Sequence, residues 1–134
     1  MVHRRIYIKD WKCDYWFLEE KDTQIWYILS QLEDIGADDA ILDRVVNLLD
    51  NRNTGFIFTN PEYNRSIIIV GKTTSGEEFL NTFIHETIHL TSIISSAYDA
   101  DIKGENIAYM IGDACQMLAD IICKFSCNHC RHSE

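Results

Sequence analysis

The chain of 134 residues has a single proline, six glycines and no internal repeat. That scarcity excludes collagen-like and linker-rich designs. Basic residues are also few: 12 Lys and Arg stand against 21 Asp and Glu, a formal net charge of -9. A nucleic-acid binder carries a basic face and an anionic membrane attracts basic segments, so neither partner is expected. Long apolar runs are missing too. The most apolar stretch, residues 107–125, is broken by Asp113, Gln116 and Asp120 and reads as a core-facing helix, not a membrane span. Arg4 and Arg5 near the N-terminus are followed by no apolar run, so no secretory signal is expected. The five cysteines are odd in number, and without a signal they read as reduced thiols in a cytoplasmic protein.

What the chain does have is enough apolar material, 46% of its residues, to bury one core. Residues 6–8 and 15–18 read as short strands. Asp22-Thr23 opens a helix carrying Ile25, Ile28, Leu29 and Leu32, stopped by Gly36. Asp38-Asp39 opens a second, with Ile41, Leu42, Val45, Val46 and Leu49 on one face. Strands at 55–59 and 66–70 flank turn-forming residues and predict a hairpin. Thr73-Thr74-Ser75-Gly76-Glu77-Glu78, a hydroxyl residue followed within three positions by a carboxylate, caps a long helix from about residue 76 to 95, and a last helix runs from about 105 to 125. The expected architecture is α+β, helices packed on a small antiparallel or mixed sheet. Residues 1–125 form one domain and 126–134 a Cys- and His-containing tail.

The chemistry is concentrated in His85-Glu86-Thr87-Ile88-His89, an H-E-x-x-H pattern inside the long helix. Side chains four apart stack on one helix face, so both imidazoles can reach one ion, and Glu86 beside the first can take a proton from water. Apolar Phe79, Leu80, Phe83, Ile84, Ile88 and Leu90 are expected to wall the pair off from solvent. A catalytic zinc needs a third protein ligand. Ser92 and Ser95 stand where a metzincin pattern would continue, so that pattern fails. Glu105, at the start of the last helix, is the preferred third ligand if the turn containing Asp99 and Asp101 folds that helix back, with Gly112 allowing close approach. Asp99 and Asp101 come next, then His129 and His132. Tyr98 and Tyr109 are candidate donors to an oxyanion, though Tyr109 reads more readily as a core aromatic with a satisfied hydroxyl. The strand at 66–70 is either an edge that pairs with an extended peptide or an internal strand buried on both faces. Cys123, Cys127 and Cys130, with His129 and His132 near, allow a structural zinc site, though a frayed tail or disulfide pairing fits the irregular spacing as well. Cys115 reads as buried and Cys13 carries no signal.

His85-Glu86-x-x-His89 followed by Glu105 resembles the gluzincin zinc metallopeptidases. It is most similar to minimal single-domain versions such as the ImmA/IrrE-like group associated with phages and mobile elements. Glu105-x-x-Ala108-Tyr109-x-Ile111-Gly112 is similar to the same small peptidases, and the likeness spans residues 55–122. The resemblance implies Zn2+ held by His85, His89 and Glu105, Glu86 as general base, and a peptide or protein as substrate. Many gluzincins place an Asp four residues after the glutamate ligand; here Tyr109 stands there, and Asp113 is one turn further on. The competing reading is a non-catalytic protein-interaction module that keeps the scaffold, docking a basic partner through acidic residues such as Asp34, Asp38, Asp39, Asp43 and Asp50.

Overall fold

A computed structural model describes residues 1–98 and 105–131, except for the side chain of Glu105. Four strands, β1 (Val2–Ile8), β2 (Trp11–Phe17), β3 (Gly55–Asn60) and β4 (Arg65–Val70), form one sheet in the order β1-β2-β4-β3. The outer pairs are antiparallel and the central β2–β4 pair is parallel, with Tyr15 opposite Ile68. The architecture is α+β with a mixed sheet. The helices are α1 (Trp26–Asp34), α2 (Asp39–Val46), α3 (Gly76–Ala97), α4 (Glu105–Met117), α5 (Ala119–Ser126) and the single turn α6 (Asn128–Arg131). Among the described residues, no helix is long and apolar enough to cross a membrane.

The sheet is covered on both faces, and strand alternation divides the core. Cys13, Tyr15, Phe17, Ile68 and Val70 point to the face holding Phe79, Phe83, Leu90 and Ile94 of α3, Met110 and Ala114 of α4, and Phe125 of α5. Ile67 and Ile69 point to the other face, against Ile28 and Leu32 of α1 and Val45 of α2. β4 therefore lies between two layers and two strands, and Ile67, Ile68, Ile69 and Val70 are all fully buried. That explains its unbroken apolar run. Of the two readings of residues 66–70, the internal strand is the observed one; the edge beside α3 is β3, half-buried along its whole length.

Local signals set the starts of two helices. The Asp38 side chain accepts from the Ile41 amide, and Ser75 accepts from the Glu78 amide, capping α2 and α3. Asp22 does not cap α1. Its carboxylate instead binds the Glu19 amide and the N-terminal ammonium, and α1 begins at Trp26. The helix expected over 105–125 breaks at Leu118 into α4 and α5.

The close helix approach occurs at Gly76, not at Gly112. A side chain on Gly112 would meet open space, whereas one on Gly76 would collide with the Ser126 carbonyl. The segment read as a tail is thereby seated on the first turn of α3. Asn128 Oδ1 accepts from the Gly76 amide at 2.7 Å, and the Arg131 guanidinium donates to the Thr73 hydroxyl at 2.9 Å and to the Thr73 carbonyl.

Candidate functional site

α3 is held down along one stripe. Phe79, Phe83, Leu90 and Ile94 are buried, and between them the Tyr15 hydroxyl meets Thr87 Oγ1 at 2.8 Å, fixing the helix to β2. Glu86 belongs to this inward-facing side and is only 6% exposed. His85 and His89 fall on the outer face, because positions 85 and 89 are a turn apart and rotated away from the sheet. Their Nε2 atoms nevertheless converge to 3.2 Å, with the rings edge to face. The spacing on the helix thus brings both imidazoles to one point.

The dry apolar wall expected around the pair is absent. Phe79, Phe83 and Leu90 belong to the core, and Leu80 and Ile88 stand in solvent. A helix buries one stripe, and here that stripe takes Glu86 in place of the histidines.

Glu86 is packed where an apolar residue would ordinarily sit. Gly55, the first residue of β3, makes room for it: a Cβ there would stand 2.6 Å from Glu86 Cγ. Burial pushes the Glu86 carboxyl above its ordinary range, and the nearby His85 and His89 imidazoles offset this only in part. Its carboxylate opens into a cavity of about 330 Å³ lined also by His89, by Gly55, Phe56, Ile57 and Phe58 of β3, and by Ile41 and Arg44 of α2. Arg44 brings the one positive charge among these lining side chains, its guanidinium lying 5.4 Å from the centre of the Phe56 ring. It carries no sequence signal: a lone arginine on an otherwise acidic helix is indistinguishable from a solvated one until β3 is placed beside it.

The other expected residues fall elsewhere. Tyr109 is 67% exposed, so it is no core aromatic; with Tyr98, Asn106 and Asp113 it lines a second cavity against Tyr7 and Lys9 of the β1 end. Neither tyrosine lines the cavity of Glu86 and His89. Glu105 begins α4, which packs against α3 and β1. Its side chain, with Asp99, Asp101 and His132, lies outside the described residues. Among the described residues no three His, Cys, Asp or Glu side chains are grouped to hold a metal, which applies to Cys123, Cys127, Cys130 and His129 as well as to the pair on α3. All five cysteines are free thiols; Cys13 is buried and Cys115 partly so.

Two nitrogens on a tetrahedral zinc, each bonded at about 2.05 Å, stand about 3.3 Å apart. The His85–His89 separation of 3.2 Å fits that bite. The buried Glu86 carboxylate, to which no described side chain donates a hydrogen bond, fits a proton acceptor beside it. No family model, curated protein or solved structure matches the chain.

Proposed function

We propose that the protein is a zinc-dependent peptidase of the gluzincin kind, cleaving a peptide bond in a protein or peptide. The observation that carries this reading is the convergence of His85 and His89 to 3.2 Å beside a buried Glu86 at the mouth of a cleft. His85 and His89 would hold the zinc, with Glu105 as the third ligand. Bound there, zinc supplies Lewis acidity, lowering the pKa of a water to about 7 and polarising a carbonyl.

The chain's own residues do the rest. Glu86 takes the proton of the attacking water on its carboxylate and passes it to the leaving amine nitrogen. Its burial raises its proton affinity, which suits a group that must hold a proton between those two steps. β3 is a sheet edge, so its outer backbone N–H and C=O groups can pair with an extended substrate passing along the cleft. Phe56 and Phe58 offer apolar contacts there, and Arg44 faces the same space with donors for a substrate oxygen. Tyr109 and Tyr98, which line the second cavity, are the tyrosines proposed as oxyanion donors. The odd number of cysteines, five, fits a reducing compartment such as the cytoplasm.

Incubating the zinc-loaded protein with a diverse peptide mixture and following cleavage by mass spectrometry tests the reading. Cleavage should stop with a chelator and return with added zinc. Zinc binding and stable partner capture without any turnover would instead place the chain among interaction modules.

A further inference from the structure

The turn that ends the described chain holds two sulfurs together. Cys127 and Cys130 frame the Cys-Asn-His-Cys sequence, and the Cys130 amide donates to Cys127 Sγ at 3.4 Å. The turn is anchored from within. Asn128, between the cysteines, binds the Gly76 amide at 2.7 Å and the Glu77 carboxylate at 3.1 Å, and Arg131 binds Thr73. Both cysteines are partly exposed, so a small reagent can reach them.

We propose that Cys127 and Cys130 are a reversible dithiol–disulfide pair that exchanges with low-molecular-weight disulfides. In the forward direction the Cys127 thiolate attacks one sulfur of the small disulfide. That S–S bond breaks, and the first small thiol leaves with the proton Cys127 gave up. Cys130, losing its proton to solvent, then attacks Cys127 in the mixed disulfide. The protein S–S bond forms and the second small thiol leaves, taking up a proton. Two protein thiols are oxidised and one small disulfide is reduced to two thiols.

The roles of the two sulfurs follow from their contacts. The Cys130 amide donates to Cys127 Sγ and, with the adjoining Cys130 side chain, holds its thiol below the ordinary cysteine range. The neighbouring Cys127 side chain and partial burial push Cys130 up. Cys127 is the attacking sulfur and Cys130 the resolving one. Cys123, on α5 one turn earlier, is exposed and outside this hydrogen-bonded pair. Because the pair frames Asn128, it sits on the contact that seats α3, the helix carrying His85, Glu86 and His89.

The test equilibrates the reduced full chain with mixtures of glutathione and glutathione disulfide, traps free thiols by alkylation and maps peptides by mass. The expected product is one internal Cys127–Cys130 disulfide, fully reversed by excess glutathione, with Cys123 left alkylated. In Cys130→Ser, Cys127 should accumulate as the mixed disulfide with glutathione; Cys123→Ser should behave as wild type. The wild-type map decides by itself if a variant folds poorly. Persistence of both residues as thiols, separate glutathione adducts on each, or pairing through Cys123 would overturn the proposal.

Discussion

Glu86→Gln is expected to lower the proposed peptide turnover by about 1,000-fold, or about 4 kcal/mol of transition-state stabilisation, and to leave zinc bound. The amide has the same shape as the carboxylate, so it fills the space between Gly55 and α3 without new contacts. What it cannot do is accept a proton. Since burial already disfavours the ionised carboxylate, the neutral side chain should cost the fold nothing. Single-turnover kinetics, zinc titration and a thermal melt on the same preparation separate these effects. Turnover within tenfold of wild type would remove Glu86 from the chemistry. Lost turnover accompanied by a lower melting temperature would make Glu86 a structural residue.

The largest effect on stability is expected at Asp14, which does not line the cleft. Asp14 lies on β2, fully buried, where His3 Nε2, Arg5 Nε and Arg65 Nη2 meet its carboxylate at 2.7, 2.9 and 2.7 Å. Burial works against its charge, but the hydrogen bonds from Arg5, Arg65 and His3 win and hold its carboxyl below the ordinary range. Asp14→Ala leaves the inner Arg65 unpaired among three strands. The cost is about 3 kcal/mol, the low end for a broken buried ion pair because Arg5 and His3 reach water. The melting temperature should fall by roughly 10 °C. A depressed carboxyl stabilises the fold at pH above its unfolded value, and that contribution is lost as pH falls through the folded value. Wild type should therefore lose this part of its stability on acidification below the ordinary aspartate range, and Asp14→Ala should lack that component. Denaturant titrations of both proteins across that range measure it; a loss below about 1 kcal/mol at neutral pH would contradict it.

The sequence made visible whatever depends on neighbours a few residues apart. His85 and His89 converge because one helical turn brings positions four apart together, and Asp38 and Ser75 cap helices for equally local reasons. The α+β class follows from the order of apolar patterns. Pairings between distant segments were not legible. The 66–70 run fits an edge or an interior strand until β2 is known to lie beside it in parallel register. The seat of residues 128–131 on α3 depends on Asn128 meeting a backbone amide 52 positions away, and no periodicity encodes that. Arg44 and Asp14 acquire their roles only from strands that arrive elsewhere in the chain. Glu86 is different in kind: a carboxylate on the buried stripe of α3 breaks the helix's own pattern, a local conflict of the sort found at functional or strained sites.

The central claim is that two imidazoles one turn apart share a single ion. Zinc K-edge X-ray absorption on the full chain loaded with one equivalent of zinc tests it most directly. The account predicts a first shell of nitrogen and oxygen at about 2.0–2.1 Å with the multiple scattering of two imidazoles, lost in His85→Ala. A shell dominated by sulfur at about 2.3 Å, unchanged by that substitution, would put the metal on the cysteines and contradict the account.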